Sequence, residues 1–160
     1  MSKTQFVSFG NRGFWAYDVA LSIFLKYLID AAEESSQADS VWITGAVSDW
    51  RIWACVPDLG FTVNEHWSAS QRQEFVALAE VANAKLVTRE SIPAEEIVRW
   101  EILEDLHIFP RGETEVLTAP VVELGEAIIA LVSGRLPETP EGQTWYYGTP
   151  VGRQTRGRHR

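Results

Sequence analysis

Phe14, Ala16, Tyr17, Ala20, Leu21, Phe24, Leu25, Leu28 and Ile29 recur at the spacing of a single helical face, and this stripe constrains the fold more than any other feature. It predicts a core helix from Phe14 to about Glu34, entered through a Gly10-Asn-Arg-Gly13 turn and ended in solvent by Glu33, Glu34 and Ser35-Ser36. A helix of this kind cannot bury its stripe alone. The rest of the chain must supply matching surfaces.

Four further segments offer them. From Asp39 to about Val56, Trp42, Ala46, Trp50, Trp53 and Ala54 fall at helical offsets, although Val41-Trp-Ile-Thr44 and Trp50-Arg-Ile-Trp53 also alternate well enough for two strands. Pro57 stops either arrangement, and Phe61-Thr-Val63 reads as a short extended piece. Ser68 followed by Gln71 has the pattern of a capping box and introduces Phe75, Leu78, Ala79, Ala82 and Leu86. Ser91-Ile-Pro93 is read as the start of a fourth helix carrying Ile97, Val98, Ile102, Leu103 and Leu106. Thr118 is read as the cap of a fifth, with Pro120 in its first turn, Val121, Leu124, Ile128, Leu131 and Val132 as its stripe, and Gly134 as its stop. The expected fold is therefore all-α or mostly α, one bundle of about five helices spanning residues 1–152. Trp145-Tyr-Tyr147 is expected to be a short extended aromatic segment folded back on that bundle, and residues 153–160 a mobile basic tail.

Charge divides the chain in two. The last eight residues hold Arg153, Arg156, Arg158 and Arg160 and no acid, which leaves the first 152 with 10 of the 14 Lys and Arg against all 22 Asp and Glu, a net of −12. An acidic body that also carries all seven tryptophans suits a basic protein partner and repels nucleic acid and anionic membrane. With 46% hydrophobic and 22% charged residues the body has the composition of a folded domain. The single cysteine, Cys55, allows no intramolecular disulfide. The amino terminus lacks a signal-peptide core, and Asp18 and Lys26 interrupt the longest helix-like apolar stretch, so a cytoplasmic protein without a membrane anchor is expected. Leu136-Pro-Glu-Thr-Pro140 begins like a cell-wall sorting signal, but its fifth residue is proline and no hydrophobic tail follows; it is read as a loop.

Catalytic patterns are sparse. Glu101, Glu104 and His107, three apart, would share a helical face as in di-iron bundles, giving an alternative reading as a metal-dependent enzyme or metal-binding bundle. The pattern occurs once, whereas such sites draw it from two helices. Cys55 could act as a nucleophile only beside a base such as His66, with Asp58 as a third member, and its neighbours Trp53, Ala54 and Val56 are those of an inert buried thiol. No G-x-S-x-G elbow is present, and the Gly10-Asn-Arg-Gly13 loop lacks the spacing of a phosphate loop. No catalytic residue and no cofactor is assigned. Trp50 and Trp67, next to Asp49 and Glu65, are the expected anchors for a partner.

In size, acidity, lack of targeting and lack of catalytic residues the chain resembles the small acidic immunity proteins that bacteria encode beside their toxins. Asp49-Trp-Arg-Ile-Trp53, Gly134-Arg-Leu-Pro137 and Trp145-Tyr-Tyr-Gly-Thr-Pro150 have the look of family signature segments. The resemblance implies neutralisation of a basic toxin domain by occlusion, with acidic side chains steering the partner in and aromatic anchors holding it. A structural homo-oligomer that pairs its own aromatic patches is the third expectation.

Overall fold

The computed structural model describes residues 3–56 and 58–157. It is a mixed α/β fold, which corrects the expected helical bundle. The chain opens with a hairpin, β1 (Thr4–Phe9) and β2 (Arg12–Tyr17), and only then enters α1 (Asp18–Glu34). Helix α2 (Val41–Cys55), strand β3 (Phe61–Val63) and helix α3 (Ala69–Leu86) follow. Strand β4 (Ser91–Pro93), a single helical turn α4 (Ala94–Ile97), strand β5 (Glu115–Leu117), helix α5 (Thr118–Val132), and strands β6 (Gln143–Tyr147) and β7 (Gln154–Gly157) complete it. Five strands form one sheet in the order β3-β1-β2-β6-β7; β4 and β5 form a separate antiparallel pair. Within the larger sheet β1 pairs in parallel with β3 and β2 with β6, while β1–β2 and β6–β7 are antiparallel.

The hairpin was hidden because Phe14 and Ala16 satisfy two periods at once. They lie two apart and are both fully buried, while Trp15 between them and Gly13 before them are only partly so, which is the alternation of a strand. The turn is Gly10-Asn11, with Gly10 at φ +62°, the first central position where a tight hairpin favours glycine. Asp18 then opens α1, its carboxylate suited to the positive end of the helix. Helix α1 packs against the sheet and against α2, α3 and α5, so one core joins sheet and helices.

The fourth predicted helix fails for a different reason. The side chains buried along this stretch are Ile92, Ile97, Ile102 and Ile108, spaced five or six apart, while Val98 and Leu106, which the helical stripe requires inside, are exposed. Only Ala94–Ile97 is helical; residues 98–114 form an irregular strap with Glu104 (φ +48°) and Arg111 (φ +52°) in the left-handed region. The strap is pinned to α1 by Arg111, whose guanidinium donates to the Asp18 carboxylate at 2.6 to 3.0 Å, and to α2 by Arg51, which donates to the Ile102 carbonyl at 2.7 Å.

Elsewhere the sequence reading fares better. The ambiguous second segment is a helix, capped by Ser40 and ending at Cys55; its expected stop, Pro57, lies outside the described residues. The capping box of Ser68 and Gln71 is formed on both sides. Thr118 does not cap α5; it is the first helical residue, and its hydroxyl donates to the backbone carbonyls of Arg89 and Glu90. Gly134 follows α5 at φ +71°, a left-handed stop. Trp145-Tyr-Tyr147 lies in β6 with Tyr147 buried against Phe14. Residues 154–157, expected in a mobile tail, are the edge strand β7; Arg158 and Arg160 lie outside the described residues. Among the described residues no helix is long and apolar enough to cross a membrane.

Candidate partner-binding cleft

On α2, residues Trp42, Gly45, Ala46, Asp49, Trp50 and Trp53 stand at offsets of three, four, seven, eight and eleven, one stripe of the helix. This stripe forms one wall of an open cleft of about 740 Å³. The opposite wall is the end of β3 and the loop beyond it, Asn64 to Trp67, with the hairpin tip at Gly10 closing one side. All four expected anchor residues, Asp49, Trp50, Glu65 and Trp67, line this space.

Their roles differ. Trp50 is only 2% exposed and packs edge-on against Phe75 at 5.9 Å, so it is floor, not an anchor that reaches the surface. Trp67 is half-buried, set edge-to-face with Trp42 at 5.1 Å and against Phe75 at 5.4 Å. The loop is held in shape by its own hydrogen bonds: His66 N–H donates to Asn64 Oδ1 at 2.8 Å, Trp67 N–H to the Asn64 carbonyl at 3.2 Å, and Arg72 to the Trp67 carbonyl at 2.7 Å. The Trp42 indole is fixed by donating to Glu74 Oε2 at 2.8 Å, and Trp53 packs on Phe61 at 5.6 Å.

Two carboxylates line this cleft without a matching lysine or arginine. The Asp49 carboxylate makes no hydrogen bond or ion pair among the described residues, and that of Glu65 has only the exposed His66, 3.9 Å away. No lysine or arginine lines the cleft. Six of the body's cations are engaged elsewhere, in Lys26–Asp30, Arg51–Glu33, Lys85–Glu34, Arg89–Glu96, Arg99–Glu95 and Arg111–Asp18. The Glu65 carboxylate lies beside the hairpin tip, where a Cβ at Gly10 would come within 2.9 Å of its Oε2.

Comparison with protein-family models, curated proteins and solved structures brings no match.

The other sequence candidates do not converge. Glu101, Glu104 and His107 lie on the strap, where no helix sets them on one face, and the His107 ring nitrogen Nδ1 lies 3.3 Å from the Trp100 carbonyl oxygen. Among the described residues no three His, Cys, Asp or Glu are disposed to hold a metal. Cys55 opens on a separate small recess with Asp18, Trp53, Phe109 and Arg111, while His66 lies in the cleft. Burial raises the Cys55 thiol pKa, which disfavours the thiolate a nucleophile needs. Trp42, Gly45 and Gly10 were missed as site residues; the helical spacing of Trp42 with Asp49 and Trp53 was the available signal.

Proposed function

We propose that the protein is a non-enzymatic binding module that uses this cleft to capture a basic protein partner in the cytoplasm, and that its specific role is neutralisation of a bacterial toxin domain by occlusion. The observation that carries the reading is the meeting of Asp49, Glu65, Trp42 and Trp67 in one open cleft that no lysine or arginine lines. Two kinds of force act in sequence. The chain's net charge of −8, which already counts the arginines docked at β7, draws a basic surface toward it over distances comparable to the Debye length, and the fixed indoles then supply apolar area at little conformational cost. Both tryptophans are held before binding, Trp42 through Glu74 and Trp67 through its loop, so little order remains to be imposed.

The test compares capture of cellular partners by the wild-type protein, by the Asp49→Lys/Glu65→Lys variant and by Glu126→Lys, an exposed reversal on α5. A basic partner lost only with the cleft variant, and whose growth inhibition the wild-type protein relieves on co-production, is the expected result. Equal loss with Glu126→Lys would reduce the effect to bulk charge and overturn the assignment of the cleft.

A further inference from the structure

The seven tryptophans fall into two groups according to what lies over their rings. Outside the cleft each of the three carries a cation from its own chain: Arg153 sits 4.0 Å from the Trp145 ring centre, Lys26 5.2 Å from that of Trp100, and Arg156 5.8 Å from that of Trp15. Arg156 also lies 5.3 Å from the ring centre of Tyr146. The four in the cleft, Trp42, Trp50, Trp53 and Trp67, carry none among the described residues. Trp50 is the buried floor, and Trp42, Trp53 and Trp67 are the ones that share the cleft with Asp49 and Glu65, where a cation would gain both a ring face and a counter-charge. Arg72, which touches the cleft loop, donates to the Trp67 backbone carbonyl.

Space for the missing group is also present. At Gly45, in the middle of the α2 wall, an added Cβ would meet no atom within 4 Å. Glycine in a helix interior is unfavourable relative to alanine, and packing within this chain does not require it here.

We infer that the cleft receives an arginine side chain projecting from the partner, its guanidinium against the indoles of the α2 wall and the Trp67 loop and its N–H groups donating to Asp49 and Glu65. Arginine fits better than lysine because its planar, weakly hydrated guanidinium stacks on an aromatic face while its edge donates paired hydrogen bonds to a carboxylate. An ammonium is a strongly hydrated point charge and loses more on leaving water. The inference rests on the reading of the cleft as the partner site and specifies what enters it.

The test titrates the full-length protein with end-capped hexa-arginine and hexa-lysine peptides, followed by calorimetry and tryptophan fluorescence. Hexa-arginine is expected to bind at least about fivefold more tightly than hexa-lysine and to quench the cleft indoles, a margin set by cation–π and bidentate pairing. The Asp49→Asn/Glu65→Gln variant, changed only at exposed side chains, and Gly45→Trp, which fills the opening, should both erase that margin, with far-UV circular dichroism confirming the fold. Equal affinity for the two peptides, lost together in the carboxylate variant, would overturn the arginine assignment and leave a basic-partner cleft standing. Binding unchanged in the carboxylate variant would remove the cleft reading as well.

Discussion

The cleft and the β6–β7 edge are built from the same side chain and treat it in opposite ways. At the edge, Trp145 donates its indole N–H to the Pro137 carbonyl at 2.7 Å and carries Arg153 over its ring, so polar and aromatic capacities are met within the chain. In the cleft, Trp42 has its N–H satisfied by Glu74, but its neighbours Asp49 and Glu65 have no arginine or lysine to face. The difference separates an aromatic surface whose capacities are met within the chain from one left open to solvent. Tryptophan content alone does not distinguish them.

The sharpest challenge is to the floor beneath the cleft. Trp50→Ala should cost about 3–5 kcal/mol, the range for removing a fully buried large aromatic, measured by urea denaturation. Trp67→Ala, at a half-buried position, should cost clearly less while weakening partner binding. Equal losses would mean that Trp67 is also core, and the contrast would narrow to Trp42 and Trp53.

On the sheet side the next effect is alkaline. Burial first, then the nearby Glu113 carboxylate, pushes the Tyr17 hydroxyl from 10.0 up to about 12. The folded state therefore holds a proton that the unfolded chain releases above pH 10. The stabilisation is complete below that pH and is lost as pH rises toward about 12, a change on the order of 2 kcal/mol. Tyr17→Phe should flatten this fall in a pH series of denaturation midpoints. Burial also raises Tyr146 and Tyr147, which should be seen as late phenolate absorbance.

Gly45→Ala should stabilise the protein by about 0.5–1 kcal/mol, because helix propensity improves and no contact opposes the methyl group. A destabilising result in thermal melts would show that Gly45 serves packing, not access. The smallest effect is expected at the edge, where Arg153→Ala should cost about 0.5 kcal/mol and a cycle with Trp145→Leu should assign most of it to the ring contact. No coupling there would mean that the arginine merely lies over the ring, and the comparison between the two regions would lose its reference.

The stretches legible in sequence were those where a single period acted alone, α3 and α5, with Ser68–Gln71 and Gly134 marking real boundaries, whereas α2 fitted two periods and its helical spacing only favoured the outcome. The hairpin was obscured because residues 14–17 fit a helical stripe as well as a strand, and the choice is made by pairing with β1, a contact between residues such as Thr4 and Tyr17 that local spacing cannot reveal. The strap was misread because Ile97, Ile102, Leu103 and Leu106 mix true core residues with exposed ones. For the cleft, the acids and tryptophans at 49–50 and 65–67 do fall in one space, but exposure could not be read from their pairing: Trp50 is buried and Trp42 lay outside it.

The cleft walls come from residue 10, from α2 and from the loop after β3, pieces brought together only by the completed fold. A ligand spanning them finds no equivalent in the unfolded chain, so occupancy must draw the whole folding equilibrium with it. At a free ligand concentration one hundred times Kd the gain is about 2.7 kcal/mol. A rise in melting temperature that tracks ligand concentration would then register binding at this cleft without any label.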